Sequence, residues 1–336
     1  MSGIENKTVT PDEAGMRLDR WFKAHFPGLG FGHLQKLLRT GQVRLDGKRV
    51  EASARVAAGQ TVRVPPLSTD AKVTADDRAN AKPRSRKLNE DDERAVREMI
   101  LYEDREVMVL NKPAGLAVQG GSGLTRHLDG MLEAFRDKKG NKPRLVHRLD
   151  RETSGILLLA KTRRAAQELS KSFRARQTRK IYWALVAGVP KPRQGRISTY
   201  LTRDEGEERM RIARHGEDDA QHSVSLYSVV DQAGPKVAWV SLRPITGRTH
   251  QLRAHAAHIG HPIVGDPKYF NIENWELPGG IQNKLHLHAR RIVIPHPKGT
   301  GKIDVSAPLP PHMQQTWNLL GFDAAQFDPD THEPEE

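Results

Sequence analysis

Residues 145–155 read LVHRLDRETSG and set one carboxylate, Asp150, between two guanidinium side chains, Arg148 and Arg151. Positive charge on both sides favours the charged form of a carboxyl group, so the stretch predicts an ionised Asp150. Such a group is either a structural partner for arginine or a reacting group. If the strand period of two runs through LVHRLD, Arg148 and Asp150 share one side, with His147 and Leu149 on the other. For so short a motif, a turn or helix cap is the competing account of Asp150. Further along, KIYWALVAG reads as a strand with Tyr182 near its start, and ITGRTHQLRAHAAHIGHPIVGDPKYF carries Arg248 and Arg253 among His250, His255, His258 and His261.

The chemistry open to these residues is bounded by composition. The 336 residues contain no cysteine, which excludes a thiolate nucleophile, a disulfide and cysteine-ligated zinc. Covalent catalysis is left to a carboxylate, hydroxyl, amine or imidazole. A metal site on His255 and His258, which share a helix face, would need further ligands and an oriented second shell; no HExxH occurs and Pro262 ends the pattern. Structural or nucleic-acid-contact roles suit these histidines better. The glycine-rich QGGSG lacks both the Gly-Lys-Ser/Thr ending of a P-loop and the GxGxxG spacing, so it reads as a flexible loop and no nucleotide cofactor is expected. With 54 Lys+Arg against 41 Asp+Glu, the net charge of +13 points to a polyanionic partner, nucleic acid first. No apolar run approaches the roughly 20 residues of a membrane span and no signal-peptide pattern opens the chain, so a cytoplasmic protein without membrane contact is expected.

The elements that must position these groups fall into two domains. Residues 1–70 form a small module in which Leu18, Trp21, Phe22 and Phe26, then Leu34, Leu37 and Leu38 before Thr40-Gly41, predict two helices. QVRLDGKRV follows, with the Asp46-Gly47 signature of a two-residue hairpin turn, and Val62 to Val64 reads as a further strand. Residues 71–98 are charged and poor in branched and aromatic side chains, hence a linker with frayed helical ends. Residues 99–322 form the body, and the acidic stretch 323–336 is expected to be mobile. Within the body, Val107 to Leu110 is a short strand, and Arg163 to Lys180 is a basic amphipathic stretch. In VAWVSLRPI, Val237, Trp239 and Ser241 alternate with Ala238, Val240 and Leu242 as in a central strand covered on both faces.

Residues 16–64 resemble the S-four type RNA-binding domain, which implies phosphate contacts. LVHRLDRETSGILLLAKT, KIYWALV and TGRTHQLRAHAAHIGHPIVGDPKY resemble, in that order and at matching separations, the three blocks of the RluA-type pseudouridine synthases. With NKPAGLAVQGGSG and LHLHARRIVIPHP, the resemblance spans about residues 100 to 300 and is most like the RluC branch, which modifies large-subunit ribosomal RNA. Two departures from that branch are Gln119, where His is usual, and AQHSVSLYSVV in place of an Ala-x-Thr pattern. The resemblance implies an α+β catalytic domain on a mixed, largely antiparallel sheet, preceded by the small α/β RNA-binding domain. It implies Asp150 as catalytic aspartate, Tyr182 as a stacking and proton-relay residue, and Arg253 as the bidentate partner that keeps Asp150 ionised. Isomerising uridine is redox neutral, so no cofactor and no metal are expected. The target base must be flipped, and Arg148 would contact the RNA left behind. Nothing demands more than a monomer. A tRNA pseudouridine synthase and a non-catalytic RNA-binding assembly factor are the alternatives.

Overall fold

The computed structural model describes residues 4–26, 28–67, 90–120, 126–137, 140–204, 206–207, 209–214 and 216–334, and the chain separates into two units, residues 1–86 and 87–336. Most of the charged stretch read as a linker, and the glycine-rich loop from Gly121 to Thr125, lie outside the described residues.

In the first unit the periodic apolar residues form α1 (Leu18–His25) and α2 (Phe31–Arg39). Leu18, Trp21, Phe22, Leu34, Leu37 and Leu38 are buried together with Val43 and Val62. Three short strands, β1 (Glu5–Thr8), β2 (Arg44–Leu45) and β3 (Thr61–Val64), make an antiparallel sheet with β3 in the centre. Asp46 and Gly47 have φ of +49° and +75°, the pair of positive values the hairpin turn requires. The strand expected after that turn is reduced to one bridge, Leu45 with Lys48, and β2 pairs with β3 instead. The Asp46 carboxylate accepts the Thr61 N–H at 2.7 Å, which fixes that pairing. β1 has no apolar alternation that could announce it.

The second unit opens with α3 (Glu90–Glu98), where the sequence suggested only a fraying linker end. Val96 is fully buried and Asp92 receives the Arg126 guanidinium at 3.1 Å, so two anchoring residues outweigh the polar average of the segment. Then come β4 (Ile100–Glu103), β5 (Val107–Lys112), α4 (Leu128–Met131), β6 (Arg144–Leu145), β7 (Ser154–Ala160) and α5 (Arg163–Arg174). They are followed by β8 (Arg179–Ala187), β9 (Gln194–Arg203), β10 (Met210–Ile212), β11 (Gln221–Ala233), β12 (Val237–Pro244) and α6 (Gln251–His258). The unit ends with β13 (Leu287–Pro295), β14 (Lys302–Ser306), α7 (Pro311–Leu320) and α8 (Pro329–His332). Eleven strands form one sheet in the order β10-β9-β11-β12-β8-β13-β7-β5-β4, with β14 beside β13 and β6 beside β7. Among the described residues only β7 and β13 run parallel, so the fold is α+β on a mixed, largely antiparallel sheet.

β12 is buried along its length, as its alternation predicts: Val237 and Trp239 join a cluster with Trp183 and Trp317, while Ala238, Val240 and Leu242 pack on the other face. Where β7 meets β13, Gly155 (φ +105°) lies against the Ala289 backbone so closely that a Cβ would collide with it. The acidic tail, expected to be mobile from Asp323, is anchored at Phe327 and at Glu333. Phe327 sits 5.3 Å from the Trp183 ring, and Glu333, 4% exposed, pairs with Arg179 at 2.5 Å. A single aromatic and one paired carboxylate supply the anchoring that the tail's composition hides. Among the described residues, no helix is long and apolar enough to cross a membrane.

Candidate active site

Asp150 stands on the loop between β6 and β7. β6 ends at Leu145, so the period-two reasoning that paired Arg148 with Asp150 does not extend to them. A different device sets their directions. His147 Nε2 accepts the Leu158 N–H at 2.9 Å and Leu149 is buried, which pins the loop and leaves Arg148 exposed and Asp150 half-buried. The hydrogen bond fits a neutral His147, whose pKa is lowered to about 3 by burial and by the nearby Lys180 charge. From below, the buried Lys112 ammonium donates to the carbonyls of Pro113, Leu116 and Arg151 at 2.9, 2.9 and 3.0 Å, tying the segment after β5 to the Asp150 loop. Burial lowers the Lys112 pKa to about 7.

Asp150, Arg148, Tyr182 and Arg253 all line one cleft of about 590 Å³. Its walls are the Asp150 loop, the end of α5, the start of β8 and the turn from Pro244 into α6. Among the described residues Asp150 is the only carboxylate in the lining, facing Arg148, Arg174, Arg176, Lys180, Arg248 and Arg253. Arg148, Arg174, Arg176, Lys180 and Arg248 form no ion pair with a carboxylate among the described residues, and such positive charge draws a polyanion to the cleft. Burial lowers the Lys180 pKa to about 8. Tyr182 is half-buried on β8; burial, and then the negative charge of Asp150, push its hydroxyl up, so it stays protonated and can donate.

Arg253 is placed differently from the expectation. Its bidentate partner is Asp266, with Nε and Nη2 donating at 2.7 and 2.6 Å, and both side chains are buried. Only Nη1 turns toward Asp150, at 3.8 Å. Asp266 holds the guanidinium and Asp150 receives its free edge. The face of Tyr269 covers the guanidinium at 5.3 Å. Opposite Arg253, His250 Nε2 lies 3.9 Å from Asp150; burial lowers this imidazole's pKa against the opposing pull of Asp150. His250 has φ +50° and begins α6, a conformation uncommon outside glycine and a form of strain that gathers at functional sites. Gln251 holds that turn: its Oε1 accepts from Thr246 Oγ1 (2.7 Å) and the Arg248 N–H (3.1 Å), and its Nε2 donates to Val224 O (2.8 Å) and Ser225 Oγ (2.9 Å).

Sequence reasoning missed Asp266 and the roles of His250 and Gln251, although GDPKY, with Asp266, was quoted. Arg253 and Asp266 are joined only by the turn after α6. His255 and His258 do not converge: His258 is exposed, whereas His255 is buried and its ring nitrogens meet the hydroxyls of Thr199, Ser223 and Ser225 at 2.9 to 3.0 Å. His255 therefore ties α6 to β9 and β11, and burial lowers its pKa to about 4.

Residues 106–258 match the family model described as RNA pseudouridylate synthase. The ribosomal large subunit pseudouridine synthase C of Vibrio cholerae is 35% identical over 311 residues, covering 91% of this chain and 94% of the relative. The protein of the same name from Escherichia coli is 35% identical over 309 residues, covering 90% and 92%. The solved structure of human RNA pseudouridylate synthase domain containing 4 superposes with a TM-score of 0.57 at 29% identity, covering 68% of this chain and 95% of that one. This chain belongs to the RNA pseudouridine synthases, and among them to the RluA family. It is an RNA-modifying isomerase.

Proposed function

We propose that the enzyme isomerises uridines of large-subunit ribosomal RNA to pseudouridine, with Asp150 as the reacting carboxylate. The observation that carries this is the solitary carboxylate of the cleft, set among six cationic side chains and beside Tyr182. The ribosomal substrate follows the name shared by relatives 35% identical over at least 90% of this chain.

In the reaction the N1–C1′ bond breaks, the freed uracil turns, and C5 bonds to C1′; C5 loses its proton and N1 ends protonated. Atoms and electrons balance without a redox partner. Asp150 acts either as nucleophile at C1′ or as the base that removes a ribose proton. Arg253, fixed by Asp266, aims one nitrogen at the carboxylate and limits its directions. Tyr182 offers the uracil a flat face and a protonated hydroxyl. The base leaves its stack to reach them, at a cost of a few kcal/mol, and Arg148 at the cleft mouth contacts the RNA left behind. The unpaired cations hold phosphates, and the first unit, with α1, α2 and exposed Lys36, Arg39, Lys48 and Arg49, acts as a further RNA-binding domain. On this account the enzyme works in the cytoplasm on RNA, and as a monomer.

The test is incubation with unmodified large-subunit ribosomal RNA followed by carbodiimide-dependent primer extension, with Asp150→Asn in parallel. New stops with the wild type, absent with Asp150→Asn, are expected. Stops that persist in Asp150→Asn would remove the assigned role of Asp150. If stops appear only when tRNA is offered, the ribosomal substrate is wrong.

A further inference from the structure

Moving the uracil from its N1 attachment to its C5 attachment leaves one proton to be carried. When C5 bonds to C1′, that carbon still holds its hydrogen and N1 is doubly bonded to C6. The C5–H bond must then break. Its electron pair becomes the C5=C6 double bond, while the N1=C6 π pair moves onto N1 and takes up a proton. Few groups among the described lining residues of the cleft can accept that proton. His147 already uses Nε2 to accept the Leu158 N–H, burial and Asp150 keep the Tyr182 hydroxyl protonated, and Lys180, with a pKa of about 8, is mostly charged at neutral pH. Asp150 works on the sugar in either of its roles. His250 remains.

The geometry of His250 suits the task. The Tyr269 hydroxyl has one proton and donates it to the Met210 carbonyl at 2.7 Å, while its oxygen accepts the Met210 N–H at 2.8 Å. Toward His250 Nδ1, 3.3 Å away, that oxygen is therefore an acceptor, which places the imidazole proton on Nδ1 and leaves Nε2 bare. Nε2 is the nitrogen on the Asp150 side, 3.9 Å from Oδ2, and His250 lines the cleft. The two do not hydrogen-bond at that distance, yet an imidazolium formed by proton uptake lies close enough for the carboxylate to stabilise it. Burial first, then Arg253 and Lys268, lower the pKa of His250 against Asp150 and Asp266, so the ring is neutral at pH 7 and ready to accept.

We infer that His250 is a second catalytic residue, the base that takes the C5 proton on Nε2 and returns it to N1. This deepens the proposed function and rests on it. The strained φ of +50° and the Gln251 bonds that hold the turn serve to keep the bare nitrogen beside Asp150. The competing account assigns both proton steps to Asp150 and leaves His250 only to orient that carboxylate. The two differ in whether the C5–H bond depends on the imidazole.

Two measurements on the full chain decide between them. His250→Asn keeps a residue that tolerates a left-handed backbone and has no basic nitrogen. Single-turnover pseudouridine formation in large-subunit ribosomal RNA should fall about a hundredfold in this variant. With RNA transcribed from 5-deuterouridine, deuterium should slow the variant by a larger factor than it slows the wild type, because C5–H cleavage has become the slow step. An unchanged rate, or a fall whose isotope effect matches that of the wild type, would overturn the assignment. Independently of RNA, nitrogen-15 spectra of the free enzyme at neutral pH, with the His250→Asn spectrum identifying the signals that vanish, should show His250 protonated at Nδ1 alone. A proton on Nε2 would likewise overturn it. A wild type that shows the Nδ1 tautomer yet makes no pseudouridine in this RNA would instead sink the proposed substrate and leave the His250 assignment standing.

Discussion

The catalytic cleft and the histidine seam between β13 and α7 are both rich in basic side chains, and they treat them in opposite ways. In the seam, His286 meets Lys284 O at 2.7 Å and Thr316 Oγ1 at 2.9 Å, His288 meets Ser154 Oγ at 2.9 Å, and His312 meets Leu285 O at 3.1 Å. Each ring is buried and closed by protein partners, and burial lowers the pKa of His286 and His288 to about 4. In the cleft, five of six cations are left without a carboxylate among the described residues, and the sixth, Arg253, is shared between two. Buried polar groups must be satisfied from within, so the seam is architecture. Cations left open to solvent around one carboxylate are a surface awaiting an anion.

The sharpest way to break this contrast is to make the cleft's anchored cation behave like an unanchored one. Asp266→Asn leaves the buried Arg253 guanidinium with Asp150, at 3.8 Å, as its one carboxylate among the described residues. Breaking a buried pair costs about 3 to 5 kcal/mol, and the arginine should also swing toward Asp150, lowering kcat. Urea unfolding of wild type and variant checks the first effect and single-turnover pseudouridine formation the second. A stability loss below about 1 kcal/mol would show that Asp266 does not carry Arg253.

The seam is tested with acid. His286 and His288 have folded pKa values of about 4, below the ordinary 6.5, so between those values the unfolded chain binds protons that the folded chain refuses. Stability therefore rises with pH through this window and is lost as pH falls from 6.5 toward 4, by at most about 1.4 kcal/mol per pH unit for each histidine. Urea midpoints for the second unit's transition at pH 6.5 and pH 5 should differ accordingly. A flat profile over that range would mean the seam opens before the unit unfolds.

Much of the architecture is written locally. The alternation of β12, the apolar spacing of α1 and α2 and the positive-φ demand of Asp46-Gly47 concern neighbours in sequence, and each reappears in the structure. The candidate site was readable to the level of Asp150, Tyr182, Arg148 and Arg253 gathering in one cleft, because the family blocks carry those residues. The partners were not. Whether Arg253 pairs with Asp150 or Asp266 depends on the turn after α6, and the direction of Arg148 depends on His147 reaching a backbone N–H of β7, neither of which has a periodic signature. Composition failed at 90–98 and 323–334 for one reason: Val96, Phe327 and Glu333 are isolated anchoring side chains in polar segments, and an average dilutes them.

The smallest expected effect concerns the cations at the cleft's rim. Arg174 and Arg176 close the end of α5, are exposed, and support no hydrogen bond that holds the fold, so Arg174→Gln and Arg176→Gln should leave stability within about 0.5 kcal/mol of wild type. If they hold phosphates of single-stranded RNA, each removes about 0.7 from the slope of log affinity against log salt, roughly 1.4 for the pair. The effect should be plain at low salt and fade as salt rises, because screening already weakens the contacts that were deleted. Replacing His312, a base of similar sequence prominence in the seam, should alter stability while leaving the salt slope untouched. An unchanged slope in the double arginine variant would mean the RNA passes the cleft by another wall, and Arg148 with Arg248 would then be the pair to remove.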